Sequence, residues 1–307
     1  MAAVIDSVAV STPRRWRREG SVALAARAGR ECLARARCDA NELGLLVNTG
    51  VYRDENICEP AMAPFVQRRV GANPKLPPLG APSTFSFDLV NGGCGFLSAV
   101  QAVDGFLRSG RIERGLVVTS DVNPVPRASE GMSFAPAGAA LLLSSGGADE
   151  GFTAFHFESF AKHAHLFGTR GWWIRDERPK RRLRWRPEPS HALFMREDER
   201  HVTEAAASAR QALGRFLHET GLRPDDLDLV LPSQFPAGFP AAFADAAGIE
   251  ADRVVDAAAE FGAVHTAGLA VALHAAMSQG RFPRARRALF VAVGAGISVQ
   301  LALYVRK

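Results

Sequence analysis

The chain has 307 residues, 47 % of them hydrophobic and 22 % charged, and its formal net charge is +5. This balance excludes a disordered, collagen-like or coiled-coil chain, and no apolar run reaches the roughly 18 residues that span a bilayer. Much of the positive charge lies in residues 175–186, which form either a solvated loop or a docking surface for an acidic partner or a phosphorylated cofactor. No nucleic-acid-binding motif accompanies this run, so we expect no nucleic-acid partner.

The N-terminus and the cysteines indicate the cellular compartment. Residues 1–10 are apolar and basic residues follow them, which is the reverse of the order in a secretory signal peptide. The four cysteines show no Cys-x-x-Cys spacing, and the His-x-His pair at 163 and 165 lacks a usefully spaced third ligand. The sequence therefore predicts a cytoplasmic protein with free thiols, no metal site and no membrane contact.

The hydrophobic pattern alternates between strands and helices along the chain. Residues 43–48 and 115–119 have the apolar composition of buried strands, and a helical pattern over residues 96–109 separates them. Residues 227–231 and 288–293 repeat this arrangement around a helix at about 266–279. This order predicts an α/β fold.

The two parts of the chain also align with each other. Residues 31–48 match residues 215–232 in giving a helix end, an acidic turn and a buried strand, and Gly110 matches Gly280 after the next helix. The match predicts an N-terminal half over residues 1–150, an inserted connection rich in Arg and Trp over residues 151–204, and a C-terminal half over residues 205–307. The alternative is a chance similarity of two βαβ units.

The sharpest local feature is the segment FDLVNGGCGF at residues 87–96. A short strand leads into a Gly-rich turn, and Cys94 follows at the start of a helix, where the partial positive charge favours a thiolate. The flanking glycines allow a substrate to approach closely. Two interpretations remain at this point: a nucleophilic thiol, or a small buried cysteine that packs in a tight turn.

Residues 88–121 resemble the active-site region of the thiolase superfamily and are most similar to its β-ketoacyl-ACP synthase III branch. Further segments that resemble this family lie at residues 133–143, 225–234, 260–273 and 291–303. The resemblance implies a layered αβαβα fold of two pseudo-repeated halves, a homodimer, and a cysteine at 94 that is acylated by an acyl thioester. It also implies no permanently bound cofactor, with the thioester of coenzyme A or of a phosphopantetheine-bearing carrier protein as substrate.

The sequence departs from the family at two catalytic positions. The family's histidine falls on Ser233 and its asparagine falls on Ala263. Because neither residue can replace that pair of hydrogen-bond donors, decarboxylative condensation is not expected. His265 lies at the helix start opposite Cys94 in the repeat, where it acts either as a general base towards Cys94 or as a cap of its own helix.

The resemblance implies further site residues. The oxyanion would be held by the backbone N–H groups of Cys94 and about Ala295, which depend on no particular side chain. The pocket would be lined by Ser233, Gln234, Phe87, Phe134 and Ala263. The family's longer N-terminal segment, which helps line the coenzyme A channel, is reduced here to residues 11–20, where Trp16 and Arg17 either stack on the nucleotide or lie loose on the surface.

The sequence thus predicts an atypical acyltransferase of natural-product or fatty-acid biosynthesis. Cys94 takes an acyl group from acyl-CoA or an acyl carrier protein, and His265 assists its transfer to an acceptor without malonyl decarboxylation. One alternative is a non-catalytic partner subunit of a heteromeric ketosynthase, which the short N-terminus and the missing His and Asn favour. A second alternative is a Cys-dependent thioesterase.

Overall fold

A computed structural model of the chain describes residues 2–14, 19–54, 59–73, 83–124, 129–147, 149–173 and 191–307. The strands are β1 (Ala3–Ser11), β2 (Leu45–Asn48), β3 (Phe85–Asp88), β4 (Arg114–Asp121), β5 (Ala137–Ser145), β6 (Gly151–Ser159), β7 (Phe167–Trp173), β8 (His191–Glu197), β9 (Leu229–Pro232), β10 (Arg287–Gly294) and β11 (Ser298–Val305). The helices are α1 (Ser21–Ala36), α2 (Ala63–Val70), α3 (Gly95–Arg108), α4 (His201–Thr220), α5 (Phe239–Ala247), α6 (Ala258–Phe261), α7 (Gly268–Ser278) and α8 (Arg281–Arg284).

The first sheet has the strand order β1-β5-β4-β2-β3. β2 pairs in parallel with both β3 and β4, whereas β5 pairs antiparallel with β1 and β4. Its central strands are continuous Val, Leu and Ala runs, as expected for strands that are covered on both faces. Alternation along β4 decides which layer each side chain contacts: Leu116 and Val118 pack on one face and Val117 on the other.

The second sheet repeats this pattern with the order β6-β11-β10-β9. β9 and β10 are parallel, and β11 is antiparallel to β6 and β10, as β5 is to its neighbours. Where the first sheet has β3, the second has an isolated parallel bridge between Val230 and Val254. Gly110 and Gly280, matched in the sequence, both adopt a positive φ after the central helix of their half, at 67° and 68°.

Helices and sheets form five layers. α1 and α2 cover the outer face of the first sheet, and α4 and α5 cover the outer face of the second. α3 and α7 lie between the two sheets in the central core. α7 is apolar on almost every face because protein surrounds it. The predicted thiolase-like αβαβα fold of two pseudo-repeated halves is confirmed.

The connection between the halves differs from the predicted division. β6 pairs with β11, so residues 151–159 belong to the second sheet, in the edge position that β1 takes in the first, and not to an inserted connection. The antiparallel hairpin β7–β8 follows β6, and α4 then starts at His201. The basic run at 175–186, together with Trp16 and Arg17, lies outside the described residues.

The described ranges contain neither a membrane-spanning helix nor a metal-binding cluster. No helix there combines the length and the apolar character needed to cross a bilayer. No three or more His, Cys, Asp or Glu side chains in those ranges are grouped so that they could hold a metal ion.

Candidate active site

Cys94 closes a tight turn that leads from β3 into α3. Its backbone N–H donates to Asn91 O at 3.0 Å, and the Gly95 N–H donates to Gly92 O at 3.1 Å. Gly92 has a φ of 51°, which favours glycine. A Cβ on Gly93 would lie 2.1 Å from Val293 O at the end of β10. The turn therefore needs glycine so that its backbone can lie against the second sheet.

The sulfur of Cys94 is sealed from solvent. Cys94 is 0 % exposed, and its Sγ lies 3.5 Å from Ser298 O, to which the thiol donates. Burial raises the pKa of the Cys94 thiol to about 12, although a hydrogen bond from the Gln300 backbone partly offsets this effect. The thiolate that the sequence predicts at this helix start is therefore not the form of the free protein at neutral pH. A base has to take the proton when the sulfur reacts.

His265 forms a buried pair with Asp121. His265 Nδ1 lies 3.0 Å from Asp121 Oδ2. The same carboxylate accepts the Thr266 N–H at 2.9 Å and the Thr266 hydroxyl at 2.6 Å, and its other oxygen accepts the backbone N–H groups of Val51 and Tyr52. The imidazole thus reaches across to the end of β4 in the other half, and does not cap its own helix.

The protonation of this pair follows from its hydrogen bonds. Burial alone would raise the pKa of Asp121, but hydrogen bonds and charge from His265, with those from Thr266 and Tyr52, hold it below its usual range. The ionised carboxylate assigns a proton to His265 Nδ1. His265 Nε2 has no hydrogen-bond partner within the described part of the chain. This nitrogen can therefore accept a proton from a reacting group.

A narrow cleft lies between His201 at the start of α4, His265 just before α7, and the turn that follows β10. Its walls are formed by Phe167, His201, Phe235, Pro236, His265, Val293, Gly294 and Ala295. A Cβ on Gly294 would lie 3.4 Å from Cys94 Sγ, so the absence of a side chain brings the cleft wall onto the sulfur. Cys94 and His265, both described, share no hydrogen bond. His265 lines the cleft, whereas the sulfur of Cys94 lies directly behind the cleft wall at Gly294.

The cleft is closed to a long chain in this conformation. Its accessible volume of about 10 Å³ is enough for one water molecule. Aromatic rings pack around the imidazole of His265, with centroids at 5.1 Å for Tyr52, 5.8 Å for Phe134 and 5.2 Å for Phe235. An acyl chain would have to displace some of these rings on entry.

The predicted oxyanion donors are adjacent but not equivalent. Ala295 is exposed on the cleft wall, and its backbone N lies 3.9 Å from the position that a Cβ on Gly92 would take. The N–H of Cys94, in contrast, donates to Asn91 O within the turn. For Cys94 to serve as an oxyanion donor, that turn hydrogen bond has to lengthen or be shared.

The predicted pocket residues separate into two groups. Phe134 and Ala263 belong to the aromatic cluster beside His265. Ser233 accepts the Val293 N–H at 3.1 Å, and Gln234 bonds to Pro232 O, Val255 O and the Ala257 N–H, so both hold the end of β9 in place. Phe87 packs on the central core. These last three residues are absent from the described cleft wall because backbone or core contacts already engage them.

Two site residues escaped the sequence analysis. Asp121 ends a buried strand, and this position next to the ends of parallel strands was the available signal. His201, which no motif in the sequence singles out, lines the cleft. Its Nδ1 lies 2.9 Å from Glu197 Oε1. The spacing of four residues between Glu197 and His201 was a local signal for this pair.

Comparisons with known proteins place these features in a family. Residues 217–306 match the model of the 3-oxoacyl-[acyl-carrier-protein] synthase III C-terminal region. The chain is 27 % identical to the β-ketoacyl-[acyl-carrier-protein] synthase III of Synechococcus sp. (strain RCC307), over 93 % of this chain and 83 % of the relative. It is 28 % identical to the enzyme of the same name from Sphingopyxis alaskensis, over 91 % and 82 %.

Solved structures agree with this assignment at the level of fold. A Cys-to-Ser variant of Xanthomonas campestris OleA, with bound lauric acid and lauroyl-CoA, superposes with a TM-score of 0.79 at 17 % identity, over 100 % of this chain and 99 % of the other. The 3-oxoacyl-(acyl carrier protein) synthase III of Pseudomonas aeruginosa PAO1 gives 0.78 at 22 % identity, over 99 % and 98 %. In sequence and in fold, the chain thus resembles the β-ketoacyl-ACP synthase III branch of the thiolase superfamily.

Proposed function

We propose that this chain is an acyltransferase that forms an acyl-enzyme on Cys94 and passes the acyl group to an acceptor without decarboxylation. The named relatives are ketoacyl synthases III, and they support an acyl-transferring enzyme of the condensing class. The observation that carries the proposal is the His265–Asp121 pair, which lines a cleft whose wall at Gly294 lies against the sulfur.

The first half-reaction needs a base because the buried thiol holds its proton, with a pKa of about 12. As Sγ attacks the thioester carbonyl, its proton passes to His265 Nε2, and Asp121 stabilises the imidazolium through Nδ1. An S–C bond forms to Cys94 and the thioester C–S bond breaks. The departing thiol of coenzyme A or of the carrier protein takes the proton back from His265.

The same geometry argues against malonyl decarboxylation. Ser233 stands at the family's histidine position, and its oxygen accepts a backbone N–H from β10. Ala263 stands at the asparagine position and has no side-chain donor. With no convergent pair of donors at these two positions, a developing enolate would lack its stabilising hydrogen bonds. The acceptor therefore has to be a nucleophile that exists without decarboxylation.

The substrate and the assembly complete the proposal. The donor is an acyl-CoA or an acyl carrier protein, no cofactor is held permanently, and the setting is natural-product or fatty-acid biosynthesis in the cytoplasm. The edge strand β3 carries Phe85, which is 59 % exposed, and Val90 just beyond it is 55 % exposed. Apolar side chains at an open sheet edge favour pairing with another chain. This supports a homodimer through β3, with a heteromer as the alternative.

Intact mass spectrometry tests the acyl-enzyme. The protein is mixed with acetyl-CoA, octanoyl-CoA, lauroyl-CoA and the corresponding acyl carrier proteins. A mass gain of one acyl group is expected for the wild type and for Cys32→Ala, because Cys32 is equally buried, with a pKa of about 12, but lies in the outer core. Cys94→Ala should show no gain, and His265→Ala should acylate roughly 10²-fold or more slowly.

The outcomes separate the alternatives. A gain that persists in Cys94→Ala would disprove the nucleophile. The absence of any gain on wild type would favour the non-catalytic partner subunit. Rapid release of free acid, with no acceptor present and no dependence on one, would favour the thioesterase.

A further inference from the structure

A second histidine–carboxylate pair faces the same cleft. His201 is 3 % exposed and is the first residue of α4. Its Nδ1 lies 2.9 Å from Glu197 Oε1 at the end of β8. With Nδ1 engaged, the nitrogen left for a ligand is Nε2, which has no hydrogen-bond partner among the residues that the structure describes. Because His201 lines the cleft, this nitrogen is available to a ligand that enters there.

The two imidazoles stand on different walls with aromatic rings between them. The ring centroid of His201 lies 5.4 Å from that of Phe167, Phe167 lies 6.0 Å from Phe235, and Phe235 lies 5.2 Å from His265. The rings of Phe167 and Phe235 thus separate the histidines and line the space between them. A molecule bound there can meet one base on each side.

The two pairs are held differently. Asp121 is buried and accepts hydrogen bonds from five donors, so His265 is fixed to the central layer of the fold. Glu197 belongs to the β7–β8 hairpin, its side chain is 25 % exposed, and it also accepts a hydrogen bond from the Ser133 hydroxyl at 3.4 Å. His201 is therefore held on the side of the cleft formed by the partly exposed hairpin. An acceptor that enters from solvent would contact it there.

We propose that His201 is the catalytic base for the acceptor, and that this acceptor carries a hydroxyl group. The proposal rests on the acyl-enzyme proposed above. A neutral hydroxyl has a high pKa, so it depends strongly on a general base. No Asp or Glu is among the described residues that line the cleft, so the cost of removing a charge from water favours an uncharged acceptor over an ammonium group.

The step balances with the groups present. The acceptor oxygen attacks the acyl carbonyl on Cys94 as its proton passes to His201 Nε2, a C–O bond forms, and the C–S bond to Cys94 breaks. The Cys94 thiolate then recovers a proton that originates from the acceptor. The products are an ester and the free enzyme, and no oxidant or further reactant is consumed. Glu197 is a positioning residue, because it acts on the acceptor only through His201.

Discharge of a preformed acyl-enzyme tests this role. Wild type and variants are acylated with an acyl-CoA found active above, freed of excess donor, and followed by intact mass in buffer with ethanol or with hydroxylamine. Once acylated, His201→Ala and His201→Gln should transfer the acyl group to ethanol roughly 10²-fold more slowly than the acylated wild type. Hydroxylamine, a strong nucleophile that needs no base, should discharge all of them at similar rates.

His163→Ala is the matched control. His163 also faces a carboxylate, Glu204, at 3.6 Å, but it is absent from the cleft wall. It should transfer to ethanol at the wild-type rate. For the positioning role, Glu197→Ala should slow transfer to ethanol, and Glu197→Gln should restore most of it because an amide oxygen also accepts the Nδ1–H.

The outcomes distinguish this proposal from the one on which it rests. Wild-type transfer to ethanol in His201→Ala would overturn the role of His201 and leave the acyl-enzyme intact. An equal loss of discharge to hydroxylamine would also overturn it, because His201 would then only shape the site. Failure of the wild type to acylate at all would remove both proposals together.

Discussion

The starts of α3 and α7 occupy matching places in the two halves and are built in opposite ways. At α3, the turn that carries Cys94 lies against the end of β10, with glycines at positions 92, 93 and 294. At α7, His265 and Thr266 lie against the end of β4, and Asp121 holds both residues. At the start of α3 the backbones pack closely because glycines have no side chain. At the start of α7 the contact is made by a buried carboxylate that is surrounded by hydrogen-bond donors.

This difference sets the chemistry of each junction. The glycine junction is dry and leaves the thiol of Cys94 protonated, with a pKa of about 12. The charged junction leaves an imidazole with one nitrogen fixed by Asp121 and the other available. The proposed nucleophile and its proposed base thus come from neighbouring positions of the repeat, one in each half. The following changes test the comparison.

The largest effect is expected from Asp121→Ala. The change leaves five donors, including His265 Nδ1 and three backbone N–H groups, without their acceptor. Because each buried donor left unsatisfied costs about 1–3 kcal/mol, the free energy of unfolding should fall by at least about 3 kcal/mol. Urea denaturation at pH 7 measures the loss.

Asp104→Ala is the matched control for that change. Asp104 is also buried, but it accepts only from the Ala3 N–H and from Arg108, whose side chain is 44 % exposed. We expect a clearly smaller loss of stability. Equal losses in the free energy of unfolding for the two variants would mean that the hydrogen bonds around Asp121 stabilise the protein no more than those of Asp104.

Gly93→Ala tests the other junction. Its Cβ would lie 2.1 Å from Val293 O, so the turn has to move away from β10. Such overpacking lowers the free energy of unfolding by about 1–3 kcal/mol. In α3 itself, a Cβ on Gly105 has no atom within 4 Å, and Gly105→Ala should therefore stabilise the protein by about 0.5–1 kcal/mol. If Gly93→Ala left the free energy of unfolding unchanged in the same urea titration, the close packing of this junction would be contradicted.

The smallest expected effect is the loss of the Asp121 contribution to the free energy of unfolding at low pH. The pKa of Asp121 is held below its usual range in the folded protein, so its ionised form stabilises the fold. That contribution is complete above the unfolded-state pKa of about 4 and is lost as the pH falls through the lower folded-state value. The stability difference between wild type and Asp121→Ala should therefore narrow on acidification below about pH 4. A difference that stays constant down to pH 2.5 in the same denaturation series would show that the carboxylate charge is unimportant.

Local patterns in the sequence were sufficient to predict the fold and the glycine turn before α3. The apolar runs of β4 and β10, the matched glycines at 110 and 280, and the glycine turn before Cys94 are all properties of short segments. The repeat alignment also brought His265 to the helix start opposite Cys94. The start of the second half was misplaced because β6 is an edge strand whose partner, β11, lies at the far end of the chain.

The polar network could not be predicted in the same way. Asp121 and His265 are 144 positions apart, and no periodicity joins them. Ser233 and Gln234 were expected in the pocket from the family's pattern, but their side chains complete the hydrogen bonding of neighbouring backbone. His201 and Glu197 are close in sequence, but nothing in their spacing indicates that His201 shares a cleft with Phe167, Phe235 and His265.

The Asp121–His265 pair also constrains how a duplicated chain can diverge. Asp121 belongs to one copy of the repeat and His265 to the other, so neither residue has its function until both have arisen. An unpaired carboxylate or imidazole at this buried junction would be selected against. Among descendants of the same ancestor, an acid at the end of β4 and a histidine before α7 should therefore be gained and lost together.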